Sequence, residues 1–237
     1  MKDARRFLDG YVRNLARLTY AADALSLGVL ESDSADDTFA ALAGVLAPLR
    51  ARWRRVESWK QDFGYRLPPA TPRWAPHVQL MRRAVLARSR NRLLMRSLGD
   101  EEWVLWLDVD VIDYPADIVE RLLAAGRSIV QPHCVLDYGG PTFDRNAWRD
   151  HGRFHMDALR DEGDLVKLDT VGGAMLLVRA DLHRDGLVFP PYPYGRANLA
   201  ARPGQGELET EGFGLMARAM GHQCWGMPNL EIRHARA

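Results

Sequence analysis

Cysteine is scarce in this sequence: Cys134 and Cys224 are the only two among 237 residues. So few exclude a disulfide framework and an all-cysteine zinc site. They read as buried free thiols of a reducing compartment, with a single bridge as the alternative. An excess of either charge is missing as well. Lys plus Arg is 32 against 31 for Asp plus Glu, a formal net charge of +1, which argues against bulk affinity for nucleic acid or an anionic membrane. No apolar run approaches the roughly 18 residues of a spanning helix, and nothing resembles the charged, apolar and cleavage regions of a signal peptide. The expectation is a cytoplasmic chain with no membrane span and no nucleic-acid partner. Internal repeats and low-complexity tracts are absent too.

What is present is globular: 47% hydrophobic and 27% charged residues, with enough length to bury a sizeable core as one large domain. Phe7, Tyr11, Leu15 and Leu18 stripe a first helix over about 3–18. Leu25 to Leu30 reads as a buried strand, cut off by the turn-formers and caps of 31–38. A helix over about 38–49 and a strand over 54–59 follow. Gly64, Pro68, Pro69, Pro72 and Pro76 make 64–76 a loop. The next helix, about 77–98, carries the stripe Leu80, Ala84, Ala87, Asn91, Leu94, Leu98 and ends at Gly99.

Trp103 to Leu107 is a continuous apolar run of five, the pattern of a central strand covered on both faces. A helix from Pro115 to about Ala125 and a strand from Ser128 to Gln131 continue the rhythm of an α/β sheet flanked by helices. Further strands are expected at 165–168 and 174–178, a loop over 195–208, and a last helix carrying Phe213, Met216, Ala217 and Met220.

Asp108-x-Asp110 stands at the carboxyl end of the apolar strand, where open α/β sheets bind ligands. In extended chain both carboxylates point to one side. Such a pair needs a positive neighbour, and Mg²⁺ or Mn²⁺ shared with substrate phosphates would supply it; turn and capping residues before Pro115 are the alternative. On the preceding helix Arg88, Asn91 and Arg92 share a face. Arg suits bidentate contact with phosphate, while a solvated basic face with Asn91 bonded to backbone is the bland reading. Glu209 and Glu211 suit a helix start, but Gly212 in that first turn implies close approach of a ligand or chain segment, as does Gly172-Gly173 entering a strand. His234 becomes a ligand only where the fold returns the chain end to Asp110.

These segments occur in one order: Leu27 to Ser34 with Asp37-Thr38; Ala87 to Asn91; Trp106-Leu107-Asp108-Val109-Asp110-Val111; Asp144-Arg145-Asn146-Ala147-Trp148; Val171 to Val178; Glu209-Thr210-Glu211-Gly212-Phe213; and Gly226-Met227-Pro228-Asn229 leading to His234. Together they resemble the fungal mannan-polymerase-type α-mannosyltransferases of the GT-A fold and their bacterial relatives, over nearly the whole chain. The resemblance implies one GT-A-like domain, a Rossmann-type mixed sheet flanked by helices, with a nucleotide-binding part over about 1–135 and an acceptor- and metal-completing part over about 136–237. It implies a retaining hexose transfer, with GDP-mannose as donor, Mn²⁺ or Mg²⁺ as cofactor, and a glycan or small molecule as acceptor. By the same resemblance Asp110 and His234 ligate the metal, and Asp108 contacts the donor ribose or metal-bound water. Arg88 and Asn91 face the donor, Asp33 the base side, and Gly172 and Gly173 the sugar. Asp144 and Glu211 contact the sugar or stabilise positive charge at the anomeric carbon.

The sequence departs from that pattern in two respects. Fungal members carry an N-terminal membrane anchor, and none is expected here. An apolar first strand is expected of a GT-A fold, but Met1-Lys2-Asp3-Ala4 leads straight to the first helix; a truncated start, a sheet lacking its first strand and an incomplete donor site are therefore expected, with an open slot beside Leu25 to Leu30. The rival readings are a degenerate nucleotide- or glycan-binding module and a haloacid-dehalogenase-type phosphatase with Asp108 as nucleophile.

Overall fold

The computed structural model describes residues 1–72, 75–195 and 207–236. A short 3-10 turn, Arg5–Phe7, leads into α1 (Leu8–Ala16), then β1 (Ser26–Glu31), α2 (Thr38–Val45), α3 (Ala47–Arg50), β2 (Arg55–Lys60) and the long α4 (Pro76–Ser97). Next come β3 (Trp103–Leu107), β4 (Val111–Asp113), α5 (Ile118–Ala124), β5 (Ile129–Val135) and the small pair β6 (Trp148–Arg149) and β7 (Phe154–His155). The chain continues through β8 (Val166–Leu168), β9 (Met175–Arg179), α6 (Ala180–Arg184), α7 (Glu209–Ala219) and β10 (Cys224–His234). The loop expected at 195–208 lies for the most part outside the described residues. No described helix is long and apolar enough to cross a membrane.

The architecture is the mixed α/β one expected, but the sheet is in two pieces. β1 and β2 pair in parallel as a two-stranded unit. The larger sheet runs β3-β9-β5-β10-β4, with β8 also on β10, and so draws strands from both sides of residue 135. Two apolar layers cover it, one built around Phe213, Phe189, Leu176 and Ile129, the other around Ile118, Val130, Leu177 and Ile232. A third cluster, with Leu8, Tyr11, Leu15, Val29, Leu42 and Leu49, belongs to the small unit and its helices.

Between β1 and β3 lies the expected slot. Its empty space, counting the open side, is about 760 Å³. α4 lines it with Leu93, Leu94 and Ser97, and α1 with Tyr11. The break corrects one sequence expectation: the 103–107 run is not central but ends the larger sheet, and only Trp106 of its five residues is buried. An apolar strand is fully covered only when a neighbour stands on each side, and β3 has one.

Other departures have local causes. Pro48 splits the helix expected over 38–49 into α2 and α3, since its ring cannot continue the first helix's hydrogen bonding. Leu80, expected in the α4 stripe, is 56% exposed, and Val78, Ala87 and Leu94 are the buried positions. The eleven-residue β10 escapes the sequence pattern because Gly226 and Pro228 read as turn-formers. Here Gly226 pairs in register with Gln131, and Pro228 falls in the register shift between Met227 and Glu231, where a bulge accommodates a proline without N–H.

Candidate functional site

The ends of β3, β9, β10 and α7 converge on one cleft. β4 runs antiparallel to β10, and Ala235 donates its N–H to the carbonyl of Asp110 at 2.8 Å. That pairing returns the chain end, so His234 Nε2 stands 3.2 Å from Asp110 Oδ1. His234 is 6% exposed and bonds the Ala235 carbonyl through Nδ1 at 2.7 Å; with Nδ1 carrying a proton, Nε2 is turned toward the carboxylate. Burial opposes charge on this imidazole, but the Asp110 contact outweighs it and raises the pKa. Phe143 packs on the ring, centroids 4.3 Å apart.

Asp108 meets a different partner. Arg90 Nη2 donates to Asp108 Oδ1 at 3.0 Å and to the Gly173 carbonyl at 3.2 Å, while Nε donates to Glu209 Oε1 at 3.1 Å. Desolvation pushes the Asp108 carboxyl up to about 6; Arg90 pulls against that shift, and the charges of Asp110, Asp144 and Glu209 add to it. The Asp108 side chain keeps 40% exposure at the cleft mouth, whereas Glu209 is held at 4%. Glu209 also takes a bond from Thr210 Oγ1 at 3.0 Å, and its backbone has φ of +55°, a strained conformation for a residue with a Cβ.

Asp144 lies at the entry to β9. Its Oδ2 accepts the N–H groups of Gly173 at 2.7 Å and Ala174 at 3.0 Å. A Cβ at Gly172 would fall 2.3 Å from that oxygen, and one at Gly173 would fall 2.5 Å from Arg90 Nη2. The glycine pair therefore admits Asp144 and Arg90 against the backbone. Gly212 similarly admits the Glu207 carbonyl and the Pro190 ring, each 2.5 Å from where a Cβ would be. Glu211 is held at both oxygens, by Trp148 Nε1 at 2.6 Å and Arg83 Nη1 at 2.7 Å.

The structure thus brings Asp108, Asp110, Asp144, His234 and the Gly172-Gly173 turn to one cleft, with Glu211 on the adjoining helix start. It gives three expected residues other partners. Asn91 exchanges both amide bonds with the Phe189 backbone, at 2.7 and 2.9 Å. Arg88 lies over the Phe63 ring, 5.0 Å from its centroid. Asp33 accepts the Phe63 and Gly64 amides, each at 2.9 Å, tying the end of β1 to the chain after β2. Arg90 and Glu209 were legible as residues of the quoted motifs but not as a pair, because 119 residues separate them.

A ready-made metal cage is not formed: among the described residues no three His, Cys, Asp or Glu side chains group so as to hold an ion. Asp110 and His234 fit as two ligands of a hard divalent cation whose remaining positions fall to water and substrate oxygens. That fit rests on the buried imidazole turning Nε2 to the carboxylate.

The mixed sheet flanked by helices is GT-A-like in fold. Structures of S. aureus TarS share it: one with UDP aligns over 100% of this chain and 58% of that one at a TM-score of 0.57 and 11% identity. Another aligns over 98% and 57% at 0.53 and 14%. This chain therefore spans somewhat more than half of each TarS structure. Within that class the chain belongs to the Anp1 family, whose pattern matches residues 1–155 and 150–193. Curated relatives include the mannan polymerase complex subunit MNN9 of Candida albicans, 27% identical over 97% of this chain and 72% of that protein. The mnn9 subunit of Schizosaccharomyces pombe is 28% identical over 97% and 77%. The ANP1 subunit of the Saccharomyces cerevisiae mannan polymerase II complex is 26% identical over 99% and 53%.

Proposed function

We propose that this protein is a glycosyltransferase that moves mannose from GDP-mannose, with retention, onto a glycan or other hydroxyl acceptor in the cytoplasm. The observation that carries the reading is the return of His234 to Asp110 beside Asp108 at the strand ends. Relatives named for mannan polymerase support mannose, and the UDP-bound neighbour supports a nucleoside-diphosphate leaving group.

In this reading Asp110 and His234 hold Mn²⁺ or Mg²⁺, which supplies positive charge against the departing diphosphate when bound. The bond from the anomeric carbon to the diphosphate breaks, the acceptor oxygen bonds that carbon on the same face, and the acceptor's proton leaves with the diphosphate. Positive charge at the anomeric carbon falls to Asp144, which two backbone amides hold in place. Glu211, engaged at both oxygens, orients the sugar-facing wall. Arg90 keeps Asp108 and Glu209 from repelling each other and the donor's phosphates. Gly172 and Gly173 bring backbone to the sugar, while Asp33, Arg88 and Asn91 shape the nucleotide side.

The test is a thermal-shift panel of GDP, UDP and ADP, each with and without Mn²⁺. Nucleotide at 100 times its dissociation constant adds about 2.7 kcal/mol of stability. A GDP shift that needs Mn²⁺ and disappears in Asp110→Asn is expected, followed by mannosyl transfer from GDP-mannose. Binding without transfer to any acceptor would instead favour a binding module. A larger shift with UDP than with GDP would overturn the donor assignment.

A further inference from the structure

Gln131 stands third in β5, a strand buried along its whole length, and is itself 3% exposed. A buried carboxamide has two ends to satisfy, an oxygen that accepts and an NH₂ group that donates twice. The oxygen has its partner: Gly172 donates its N–H to Gln131 Oε1 at 2.7 Å. That bond also fixes which way round the amide sits, because a backbone N–H can be met only by the oxygen. Among the described residues nothing accepts either N–H of Nε2. Yet the atom is not sealed in the core. Tyr114 Oη and Arg233 Nε are enclosed without a partner, whereas Nε2 keeps contact with solvent. Buried polar groups are ordinarily hydrogen-bonded, so an uncommitted donor at this depth calls for an acceptor that enters from outside.

The amide is tied to the cleft by that same turn. Asp144 Oδ2 takes the next two N–H groups, Gly173 at 2.7 Å and Ala174 at 3.0 Å. The place of a Cβ on Gly172 lies 2.3 Å from this oxygen. Three consecutive amides therefore hold one carboxamide and one carboxylate on a single short stretch of backbone. Asp144 Oδ1 is lightly engaged, with only a long 3.4 Å contact from Asn146 N–H. A carboxylate only accepts hydrogen bonds, and the Gln131 NH₂ group only donates them. A hydroxyl does both, so one placed between the two is satisfied twice. A phosphate oxygen is not suited to the place: it brings no proton for Asp144 and meets its charge.

We propose that Gln131 reads the C2 hydroxyl of the transferred hexose and so separates mannose from its C2 epimer, glucose. The inference rests on the transferase reading, in which Asp144 faces the anomeric carbon. Within the sugar ring that carbon is bonded to the ring oxygen and to C2, so the nearest hydroxyl is the one on C2. Nε2 donates to its oxygen, and Asp144 Oδ1 accepts its O–H. Inverting C2 swings the oxygen from axial to equatorial and takes it away from the amide. The buried NH₂ group is then left without an acceptor, which is how a polar site rejects a near-identical substrate.

The test follows the Gln131 side-chain NH₂ resonances of the intact chain, titrated with Mg²⁺ and GDP, GDP-mannose, its 2-deoxy analogue or GDP-glucose. GDP-mannose is expected to move them, and the other three to leave them in place. In calorimetry the wild type should bind GDP-mannose about tenfold more tightly than the 2-deoxy analogue. That ratio is expected to fall below about twofold in Gln131→Met. Gln131→Glu keeps an oxygen for the Gly172 N–H and should lose the same preference, which separates the lost donor from a loss of folding. GDP-mannose bound with the resonances unmoved, or an unchanged ratio in both variants, would overturn the proposal and leave the transferase reading standing. Equal shifts with GDP alone would assign the amide to the nucleotide and overturn it too. Failure of every GDP compound to bind would overturn the reading and the inference together.

Discussion

β1 of the two-stranded unit and β5 of the six-stranded sheet are both rich in apolar residues, yet they stand in very different surroundings. β5 is buried along all seven residues, with β9 on one side and β10 on the other. β1 has β2 on one side and, on the other, the Met1 backbone, bonded to Leu30 and Ser32, and the slot; its first three residues are only half-buried. The contrast teaches that apolar composition does not by itself produce a closed core. Strand burial requires a neighbour on each edge as well as a layer on each face, and only the larger sheet has both throughout its centre.

The largest expected effect lies in the larger block. Phe213 is fully buried and stacks on Phe189, with ring centroids 4.8 Å apart. Phe213→Ala is expected to cost about 3–5 kcal/mol, read by denaturant unfolding; a loss under about 1 kcal/mol would mean that this layer is not the principal core. Next comes the seam that both regions share with the cleft. Arg90→Ala leaves the buried Glu209 with only the longer Arg83 contact, Nε at 3.8 Å, where losing the cation of a fully buried pair outright costs about 3–5 kcal/mol. The lower end is expected because Asp108 remains 40% exposed. Arg90→Ala combined with Glu209→Gln should recover part of that loss, and an additive double mutant would break the proposed coupling.

Hydrogen exchange sharpens the comparison at a smaller energy. Amides of β5 and β9 are expected to exchange only through global unfolding, and those of β1 and β2 through a local opening of lower free energy. Equal protection in both regions would show that the slot does not separate them energetically.

Acid is expected to act on the larger block first, because every histidine lies beyond residue 72. Burial lowers the pKa values of His133 and His183 below the ordinary 6.5. Their contribution to stability is complete above that value and is lost as pH falls through it toward the folded-state values. His234, raised by Asp110, contributes in the opposite sense, losing its contribution as pH rises. Asp108, raised to about 6, acts in the same sense as His234, so from pH 7.5 to 5.5 the measured change in stability should be more negative in wild type than in His183→Phe. The smallest effect is expected at the surface: Arg54 pairs with Asp100 at 2.6 Å with both side chains open to solvent. Arg54→Ala should leave Tm unchanged within error.

Sequence and structure agree where local periodicity sufficed and part where distance along the chain mattered. The 76–97 helix was legible from its four-three spacing, and Asp108-x-Asp110 from its place after an apolar run. Asn91 was legible as an odd member of its stripe, but its partner, the Phe189 backbone 98 residues on, was not. Glycines 172, 173 and 212 were legible as sites of close approach. What approaches them, the Asp144 carboxylate, the Arg90 guanidinium and the Glu207 carbonyl, was not.

Apart from the gap beside Leu25 to Leu30, which the family resemblance implied, the sequence by itself determined the α/β rhythm, most strand and helix bounds and the ordered motifs that mark the Anp1 family. Those are properties of nearest neighbours and of order along the chain, and periods of two and 3.6 residues record them directly. Only the tertiary structure decided that β10 returns His234 to Asp110, that Arg90 serves Asp108 and Glu209 together, and that the run 103–107 stands at a sheet edge. Each of those depends on which distant segments share a hydrogen-bonded ladder, and pairing partners leave no periodic trace in either strand.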